Sequence, residues 1–373
     1  MLRRRPLPKF DPSLYFTRKM AAGTSSSNEP QSAPPQASQQ QDVEKDGEGP
    51  FDIVETYRAL LASDPEMTMP IAALESLIEL LRVTPSSTAM ETVKVVKDQK
   101  AKLLAASPNP LPVMAGADIF EQFLLRSLRG PSADAAPGQV LSFDDTRAHL
   151  LQNKQLFAAR AREARDQIAA VGSKYVLHNK IVLTAGGSRV VTSILLRAAA
   201  DPTRHFKVIY VADGSPRTEE SIAALREAGL EVETISPNKV SYALSSNSCI
   251  NLVLAGTEVV LQNGGIISRM GTSQLAFLAK KVPGSRKRFY VAAETHKIVR
   301  VTPLFHPIVN RVGIRQQDIS KWENVGHTPE NAAALLENQD EVDYTDPELI
   351  DGIITEQGTK MTSQIWEMVE DYI

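Results

Sequence analysis

After Gly172 the sequence alternates short β-rich runs with segments that carry helix signals, and this alternation restricts the fold more than any other feature. Each run is rich in apolar and β-branched side chains, which are common in buried strands. The runs are Lys180–Thr184, Phe206–Ala212, Glu231–Ile235, Cys249–Leu254 and Phe289–Ala293. Strands that alternate with helices form βαβ units and parallel sheets. We therefore predict an α/β domain with a Rossmann-like parallel sheet over residues 172–373.

The segments between these runs have helix starts where parallel strands need crossover helices. We predict helices over Ser188–Ala200, from Pro216 through Ala228, and over Thr272–Lys281. Proline at the first helical position supports the second start, because its fixed φ suits a helix and its missing N–H is not needed there. Ligands of parallel α/β sheets bind at the carboxyl ends of the strands. The turns that follow the strands are therefore the candidate functional positions.

The first of these turns is predicted to bind an anion. Gly186 and Gly187 connect a strand to a helix that begins near Ser188 and Arg189. Backbone N–H groups and the positive end of the helix dipole would face a phosphate there. The spacing is that of neither a dinucleotide fingerprint nor a Walker loop. The alternative is a structural tight turn in which Ser188 caps the helix, and the same two interpretations apply to Ala212–Pro216 after the next strand.

Glu258 follows the run that is expected to be the central strand. A carboxylate in that crevice could act as a general acid or base if it were shielded from water. A single carboxylate without an identified partner is more commonly a solvated or structural group. The sequence leaves both interpretations open.

A polar, glycine-containing loop is predicted over Gln262–Thr272, between two apolar segments. Asn263, Gly264 and Gly265 are turn-forming residues, and Arg269 has the charge and the planar geometry to clamp a phosphate. We combine this loop with Glu258 and with the first turn in one predicted phosphate-type pocket.

The chain before Gly172 has helical spacing. Apolar residues recur three and four positions apart from Ile53 and again from Ile71, and Thr88 with Glu91 is typical of a capping box. We predict an N-terminal helical domain over residues 51–171. Residues 1–50 are predicted to be a disordered tail, because Ser, Gln, Pro and Ala dominate its second half and large apolar side chains are scarce there.

Two predictions concern the C-terminal part of the chain. The apolar residues from Leu349 to Ile354 have the spacing of one helix face, which is either core or interface. The two tryptophans, Trp322 and Trp366, are expected to anchor packing.

Composition narrows the function classes. A net charge of -3 and a pI near 6.1 give no general electrostatic reason for a nucleic-acid partner, although the basic stretch Ser285–Arg288 keeps RNA binding open as an alternative. The single cysteine, Cys249, excludes an internal disulfide and a cysteine metal cluster, and we expect it in the core. No apolar run is long enough to span a bilayer. The histidines His296, His306 and His327 lack metal-site spacing, so we predict no metal and no cofactor.

Several motifs occur in the order found in one known family. They are Asn263–Ile267, Gly271–Ala276, Phe289–Glu294 and Val342–Thr345. With these motifs the chain resembles the regulatory subunits of eukaryotic translation initiation factor 2B, and the alpha subunits most of all. The resemblance begins near Phe51 and is weakest in the Gly130–Gly138 loop and around Thr328.

This family resembles methylthioribose-1-phosphate isomerase and ribose-1,5-bisphosphate isomerase in fold, which makes a comparison of active sites possible. By that resemblance Gly186 stands at the position of the isomerases' cysteine, and Glu258 stands at the position of their aspartate. Their Thr-Arg-Pro phosphate clamp corresponds to Gly214–Pro216, and their Asn-Lys pair corresponds to Ser268 and Arg269. The groups that transfer protons are lost, whereas groups that bind an oxyanion remain.

The resemblance therefore implies a non-catalytic regulatory subunit of the guanine nucleotide exchange factor for translation initiation factor 2. It implies a cytoplasmic homodimer that bridges the beta and delta subunits, with no direct contact with membrane or nucleic acid. Helices within Phe51–Arg129 would help to sense the phosphorylated alpha subunit of initiation factor 2 during stress. The pocket would still hold a sugar phosphate or nucleotide. The alternative is a divergent sugar-phosphate isomerase that uses Glu258 with a second group.

Overall fold

The computed structural model describes residues 51–84, 88–128, 154–282, 287–301, 313–315 and 341–371. All of them belong to one compact unit, Pro50–Ile373. Several predictions concern residues outside the described ones: the tail over residues 1–50, the Gly130–Gly138 loop, Trp322, His306 and His327. No helix among the described residues has the length and apolar character needed to cross a bilayer.

The first half of the described chain is helical, as predicted. Its helices are α1 (Ile53–Ser63), α2 (Met69–Val83), α3 (Ala89–Ala106), α4 (Pro110–Leu128) and α5 (Lys154–Gly172). The N-caps follow the sequence signals, because the Asp52 carboxylate accepts from the N–H of Val54 and the Thr88 hydroxyl accepts from the N–H of Glu91. A buried cluster that includes Leu77, Ile78 and Phe120 joins the first four helices.

The second half contains the predicted parallel sheet. Its strands are β1 (Ile181–Ala185), β2 (Lys207–Val211), β3 (Glu231–Ile235), β4 (Ile250–Gly256), β7 (Arg288–Ala292), β10 (Gly352–Thr355) and β11 (Gly358–Lys360). In the described part of the chain the strand order is β11-β10-β7-β4-β1-β2-β3, and every pair is parallel except β10 with β11. The prediction that β4 is central is confirmed.

Helices cover both faces of this sheet. Helix α5 packs on one face together with α6 (Arg189–Ala199) and α7 (Pro216–Glu227). The other face carries α8 (Val240–Ser246), α9 (Thr272–Lys281) and α10 (Ile365–Asp371). An N-terminal helical region followed by a doubly covered parallel sheet is the predicted fold class, which is therefore confirmed.

A second sheet was not predicted. It consists, in the described residues, of β5 (Val259–Leu261), β6 (Ile266–Arg269), β8 (Ile298–Val299) and β9 (Val342–Thr345), in the order β8-β5-β6-β9. Its buried residues pack against Leu111 and Ala115 of α4 and so attach the helical region to the sheet region. The predicted loop over Gln262–Thr272 is therefore wrong in part, because most of it is the β5–β6 turn and strand β6.

Three further expectations are wrong. Leu349–Ile354 is not a helix: a 3-10 turn ends at Leu349, and Ile353 and Ile354 lie in β10 on opposite faces of the sheet. Cys249 precedes β4 and is exposed, so it does not lie in the core. Trp366 is 49% exposed and does not anchor the core.

Candidate functional site

The reversal of strand order between β1 and β4 marks the candidate site. From β1 the chain builds outward through β2 to β3, and it then returns to pair β4 with the other side of β1. In open parallel sheets a crevice forms at such a switch point, outside the carboxyl ends of the strands. The turns after β1 and after β4 flank it, and they contain Gly186–Arg189 and Glu258.

The crevice is narrow between Gly256 and Ser188. A Cβ atom added at Gly256 would overlap the Ser188 hydroxyl oxygen, so only glycine allows this approach. The Ser188 side chain accepts from the N–H of Val191 and caps α6. The position of Ser188 therefore supports the interpretation of this turn as a structural one in which Ser188 caps the helix.

The two glycines after β1 both have positive φ, +81° at Gly186 and +59° at Gly187. The N–H of Gly187 donates a hydrogen bond to the Tyr210 hydroxyl, with 3.1 Å between nitrogen and oxygen. Burial raises the pKa of Tyr210, which keeps this hydroxyl neutral. One of the N–H groups that were predicted to face an anion therefore has an internal partner.

Arg269 lies beside Gly186 and reaches the start of α7. A Cβ atom at Gly186 would be 3.8 Å from the Cδ of Arg269. The Arg269 Nη1 donates to the Ser215 hydroxyl over 3.1 Å and lies 3.8 Å from a carboxylate oxygen of Asp213. By the resemblance stated above, Ser215 stands where the isomerases carry a clamp arginine. The guanidinium of Arg269 thus approaches that position from another strand.

The carboxylate of Asp213 is itself fixed at this helix start. Its Oδ1 accepts from the N–H of Ser215 over 3.0 Å. Burial alone would raise the pKa of Asp213, but hydrogen bonds from Ser215 and Thr218 and the charge of Arg269 lower it overall. Asp213 is therefore ionised and compensates the charge of Arg269. The sequence does not single out Asp213, since the turn after β2 is interpreted as a whole, either as a helix start or as a turn that faces an anion.

Arg189 is directed elsewhere. Its guanidinium donates to the carbonyl oxygens of Pro65 and Met67, in the connection between α1 and α2, and the second bond measures 3.2 Å. Burial, together with the neighbouring charge of Arg165, lowers the pKa of Arg189. Arg189 therefore binds the connection between α1 and α2 in the helical region, and its side chain does not point toward Arg269.

The predicted residues Asn263, Gly264 and Gly265 form the turn at the far end of β6. Arg269 lies four positions after Gly265 along the strand, which corresponds to about 13 Å. The Asn263 amide donates to the Tyr344 hydroxyl over 3.1 Å, and a Cβ atom at Gly265 would lie 2.6 Å from the same ring. Asn263 and Gly265 therefore pack against β9, Gly264 lies against Thr362, and none of the three is brought together with Arg269.

Glu258 is half-buried and has a partner from the helical region. The amide of Asn109 donates to its Oε2 over 2.9 Å, and the Glu258 N–H donates to the carbonyl of Ile267. Burial, reinforced by the charge of Glu258, raises the pKa of Tyr57. The arrangement fits a structural carboxylate at the junction of the two regions.

A polar cluster that the sequence analysis did not single out lies after β7. Lys297 pairs with Glu294 over 2.8 Å and donates to the carbonyl of Thr257 over 3.1 Å. The ring of His296 is 3.2 Å from the Thr68 hydroxyl, and burial lowers the pKa of His296 to about 4. This cluster bridges the ends of β4 and β7. The run Phe289–Glu294 carried the family resemblance, but nothing in it indicated an ion pair.

The other chemical candidates have little support among the described residues. No three His, Cys, Asp or Glu side chains group there as metal ligands would. Lys287, from the basic stretch considered for RNA, is buried and donates to the carbonyl of Asn247 over 3.3 Å. That lysine is thus not part of a solvated basic surface.

Comparison with known proteins places these features in context. Residues 62–362 match the family described as the Initiation factor 2 subunit family. The chain is 26% identical over 321 residues to "Translation initiation factor eIF2B subunit alpha" of Dictyostelium discoideum, which covers 84% of this chain and 94% of that protein. The same subunit of Caenorhabditis elegans is 27% identical over 329 residues, covering 86% and 98%.

A more distant relative and one solved structure are also similar to this chain. "Ribose 1,5-bisphosphate isomerase" of Methanocaldococcus jannaschii is 25% identical over 250 residues, covering 65% of this chain and 76% of that protein. The crystal structure of the tetrameric eIF2B-beta2-delta2 complex from C. thermophilum has a chain of similar fold. Its TM-score is 0.64 at 17% identity, with 86% of this chain and 93% of that chain covered.

Proposed function

The chain belongs to the Initiation factor 2 subunit family, and from that membership we propose that it is a non-catalytic regulatory subunit of the guanine nucleotide exchange factor for translation initiation factor 2. The observation that carries the proposal is the match over residues 62–362, which spans both the helical region and the sheet region. The relatives named eIF2B subunit alpha cover most of the chain and are themselves almost fully covered. Its place of action would be the cytoplasm, where translation is initiated.

The helical region, residues 51–171 in our division, is the proposed sensor of the phosphorylated alpha subunit of initiation factor 2. Lys94, Lys97 and Lys102 are exposed along α3, and a lysine ammonium group suits a phosphoryl group as a point charge. Lys100 on the same helix is instead engaged with Asp118 and Glu121 of α4, at 2.6 and 3.0 Å. That triad holds α3 in place, so its exposed lysines are presented on a fixed element.

The sheet region, residues 172–373, is the proposed homodimer surface and the link to the beta and delta subunits. Helices α8, α9 and α10 cover one face of the sheet. Each exposes one large aromatic side chain, Tyr242 at 74%, Phe277 at 53% and Trp366 at 49%. Exposed apolar surface of this kind is typical of protein interfaces. A second copy of the chain is the occupant that we propose.

We keep the predicted pocket as a secondary function, with a narrower set of residues. Gly186, Ser215 and Arg269 lie together and would bind the phosphate of a sugar phosphate or nucleotide. Arg189 and Asn263–Gly265 have other partners and are not needed for it. An anionic ligand would have to compete with Asp213 for the guanidinium of Arg269.

The isomerase alternative has weaker support. It requires an acid and a base at adjacent substrate carbons. Gly186 offers no side chain at the position of the cysteine, and the carboxylate of Glu258 accepts a hydrogen bond from Asn109. A coupled assay for ribose-1,5-bisphosphate or methylthioribose-1-phosphate turnover distinguishes the two functions. Turnover that disappears in Glu258→Gln would overturn the non-catalytic assignment.

Association tests the regulatory proposal directly. The tagged chain should co-purify with the beta and delta subunits of its own exchange factor, and should be a dimer when it is purified alone. Phe277→Glu should leave the chain folded and make it a monomer, because a buried carboxylate is unfavourable in a dimer interface. A wild-type chain that is monomeric and does not bind either subunit would contradict the proposal.

A further inference from the structure

Strand β9 carries two buried polar side chains with unsatisfied atoms. Asp343 is 6% exposed, and its Oδ1 atom has no hydrogen-bond partner among the described residues. Thr345 is 0% exposed, and its hydroxyl oxygen likewise has no partner within that part of the chain. A buried polar atom without a hydrogen bond costs free energy, and an ordered water molecule or ion commonly supplies the missing bond.

The two side chains lie on the same face of β9. Side chains alternate along a strand, and those of Val342 and Tyr344 pack in the cluster on the opposite face, against α4. Asp343 and Thr345 therefore point toward α9. There the start of α9 donates two N–H groups to Asp343 Oδ2. Oδ2 is thereby occupied, and Oδ1 is the carboxylate oxygen that is left for a further bond.

The spacing of the two side chains fits one intervening molecule. Residues two positions apart in a strand are separated by about 6.6 Å. A direct hydrogen bond between two oxygen atoms needs about 2.7 Å, whereas two bonds through a water molecule reach about 5.4 Å. The side chains then need to lean toward each other only slightly. We propose that a buried water molecule donates to Asp343 Oδ1 and accepts from the Thr345 hydroxyl.

Strand β6 supplies a third partner for this water. Ser268 lies opposite Asp343 in the register of β6 with β9 and is 2% exposed. Opposite side chains of antiparallel strands have Cβ atoms about 5 Å apart. The Ser268 hydroxyl donates to the carbonyl of Gly256 over 3.2 Å, so its oxygen can still accept from the water. Three partners are the usual number for a buried water molecule.

A water molecule suits these atoms better than a metal ion does. A small hard cation takes about six oxygen ligands, usually with several carboxylates. The part of the chain that the structure describes contains no cluster of three such ligand side chains. The water joins β9 to β6 and fixes the carboxylate that binds the start of α9. This site is independent of the anion pocket and of the regulatory assignment.

The test removes one hydroxyl group and measures thermal unfolding of the full chain. Valine has the shape of threonine but cannot bond to the water. Thr345→Val should lower the melting temperature by about 2 °C or more, because the water loses one partner and Asp343 Oδ1 loses a firmly held donor. A hydroxyl without any partner behaves differently, since its removal leaves the melting temperature unchanged or raises it. That result for Thr345→Val would overturn the inference.

Two other strand threonines are matched controls, because they are buried to the same extent. Thr355 is 1% exposed and donates to the carbonyl of Gly358 over 2.8 Å, so Thr355→Val should lower the melting temperature as Thr345→Val does.

Thr184 is 0% exposed, and its hydroxyl has no partner in the described ranges. Its strand neighbours are Tyr210 and Leu254, neither of which adds an unsatisfied buried atom there. Thr184→Val should therefore leave the melting temperature unchanged or raise it. A loss in Thr184→Val as large as that in Thr345→Val would overturn the inference, because no second unsatisfied group would be needed for it.

A crystal structure of the full chain identifies the occupant directly. Density for a water molecule should lie about 3 Å from both Asp343 Oδ1 and Thr345 Oγ1. A side chain at that point, or no density there, would overturn the inference. At fixed ionic strength the melting temperature should be the same in sodium, potassium and choline chloride. A dependence on the metal ion would mean that a cation occupies the site and would also overturn it.

The pH dependence separates a water from a proton. Burial raises the pKa of Asp343 to about 6, so its carboxylate is ionised at pH 8. The loss in Thr345→Val should be present at pH 8. A loss confined to pH 5 would mean that the protonated carboxyl group bonds to Thr345 without a water, which contradicts the inference.

Discussion

Arg189 Nη2 donates a hydrogen bond to the carbonyl oxygen of Met67 over 3.2 Å and so joins the first turn of α6 to the connection between α1 and α2. Neighbouring residues of that connection are held in similar ways. Arg162 pairs with Asp64 at 2.8 Å, Arg165 pairs with Glu66, and His296 contacts Thr68. The helical region is therefore attached to the sheet region through one short connection as well as through the second sheet.

Arg189→Gln should lower the free energy of unfolding by about 1–3 kcal/mol, since two carbonyl groups lose a charged donor. Urea unfolding of the full chain measures the change. Arg197→Gln is the matched control, because Arg197 lies on the same helix and is exposed. Arg197→Gln should lower the free energy of unfolding by less than about 1 kcal/mol. Equal losses in the two variants would show that the attachment at Met67 adds no stability.

The stability of the wild type should fall as the pH is lowered from 6.5 to about 4, in part through His296. Its pKa is lowered from 6.5 to about 4, mainly by burial, so the unfolded chain binds the proton more readily than the folded chain. The contribution of His296 to the free energy of unfolding is fully present above pH 6.5 and amounts to at most about 3 kcal/mol. In His296→Gln this part of the slope should disappear. An unchanged slope would refute the role of His296.

The ionisation of Asp343 should give the stability the opposite dependence on pH. Burial raises its pKa to about 6, although the N–H groups of Gly271 and Ser273 donate to its carboxylate. The folded chain therefore binds this proton more readily, and stability falls as the pH rises from about 4 to 6. Both N–H groups donate to the same oxygen, Oδ2, so Asp343→Asn keeps their acceptor and should be as stable as the wild type, or more stable, at pH 7.

A second aspartate serves as the control for that prediction. Asp351 accepts from the N–H of Phe289 and pairs with Lys280, whose side chain is only 6% exposed. Asp351→Asn leaves a buried ammonium group without its countercharge and should cost about 3 kcal/mol at pH 7. If both aspartate variants were destabilised alike, burial would not be the main influence on Asp343.

Gly256→Ala should be severely destabilising, by about 2–4 kcal/mol, because its methyl group would overlap the side chain of Ser188. Thermal unfolding followed by circular dichroism measures the loss. Adding Ser188→Gly removes the overlapping atoms and should restore part of the stability, although the helix cap is lost. No recovery in the double variant would mean that the cost has a different origin.

The exposed lysines of α3 give a prediction about function. In the assembled exchange factor, Lys94→Gln combined with Lys97→Gln should weaken the inhibition by phosphorylated initiation factor 2 at least about threefold, because two charge contacts to the phosphoryl group would be lost. Lys174→Gln combined with Lys239→Gln removes the same charge from exposed positions in the sheet region and should have no effect. Similar effects in both pairs would place the sensing surface elsewhere.

The sequence predicts the large sheet well, because buried strands and amphipathic helices differ in period. The prediction fails where elements are short. Strands β5 and β6 have three and four residues, and a glycine turn joins them, so they resemble a loop. Likewise, a short apolar run such as Ile353 and Ile354 fits a helix or a strand equally.

The candidate site was predictable only in part. Gly186 and Arg269 were assigned to one pocket, and the structure brings them together. Arg189 was assigned to it by its proximity in sequence, but a side chain in the first turn of a helix can point away from the strand end. One partner of Arg269, Asp213, is distant in sequence, and the fold brings the end of β6 within reach of the start of α7.

The most direct test of the central claim is nucleotide release from initiation factor 2 by the purified exchange factor, assembled with and without this chain. Release is followed with unphosphorylated and with phosphorylated initiation factor 2. We predict that phosphorylation slows release only when the chain is present, and that the chain alone releases no nucleotide. An identical response to phosphorylation in the assembly that lacks the chain would contradict the regulatory function.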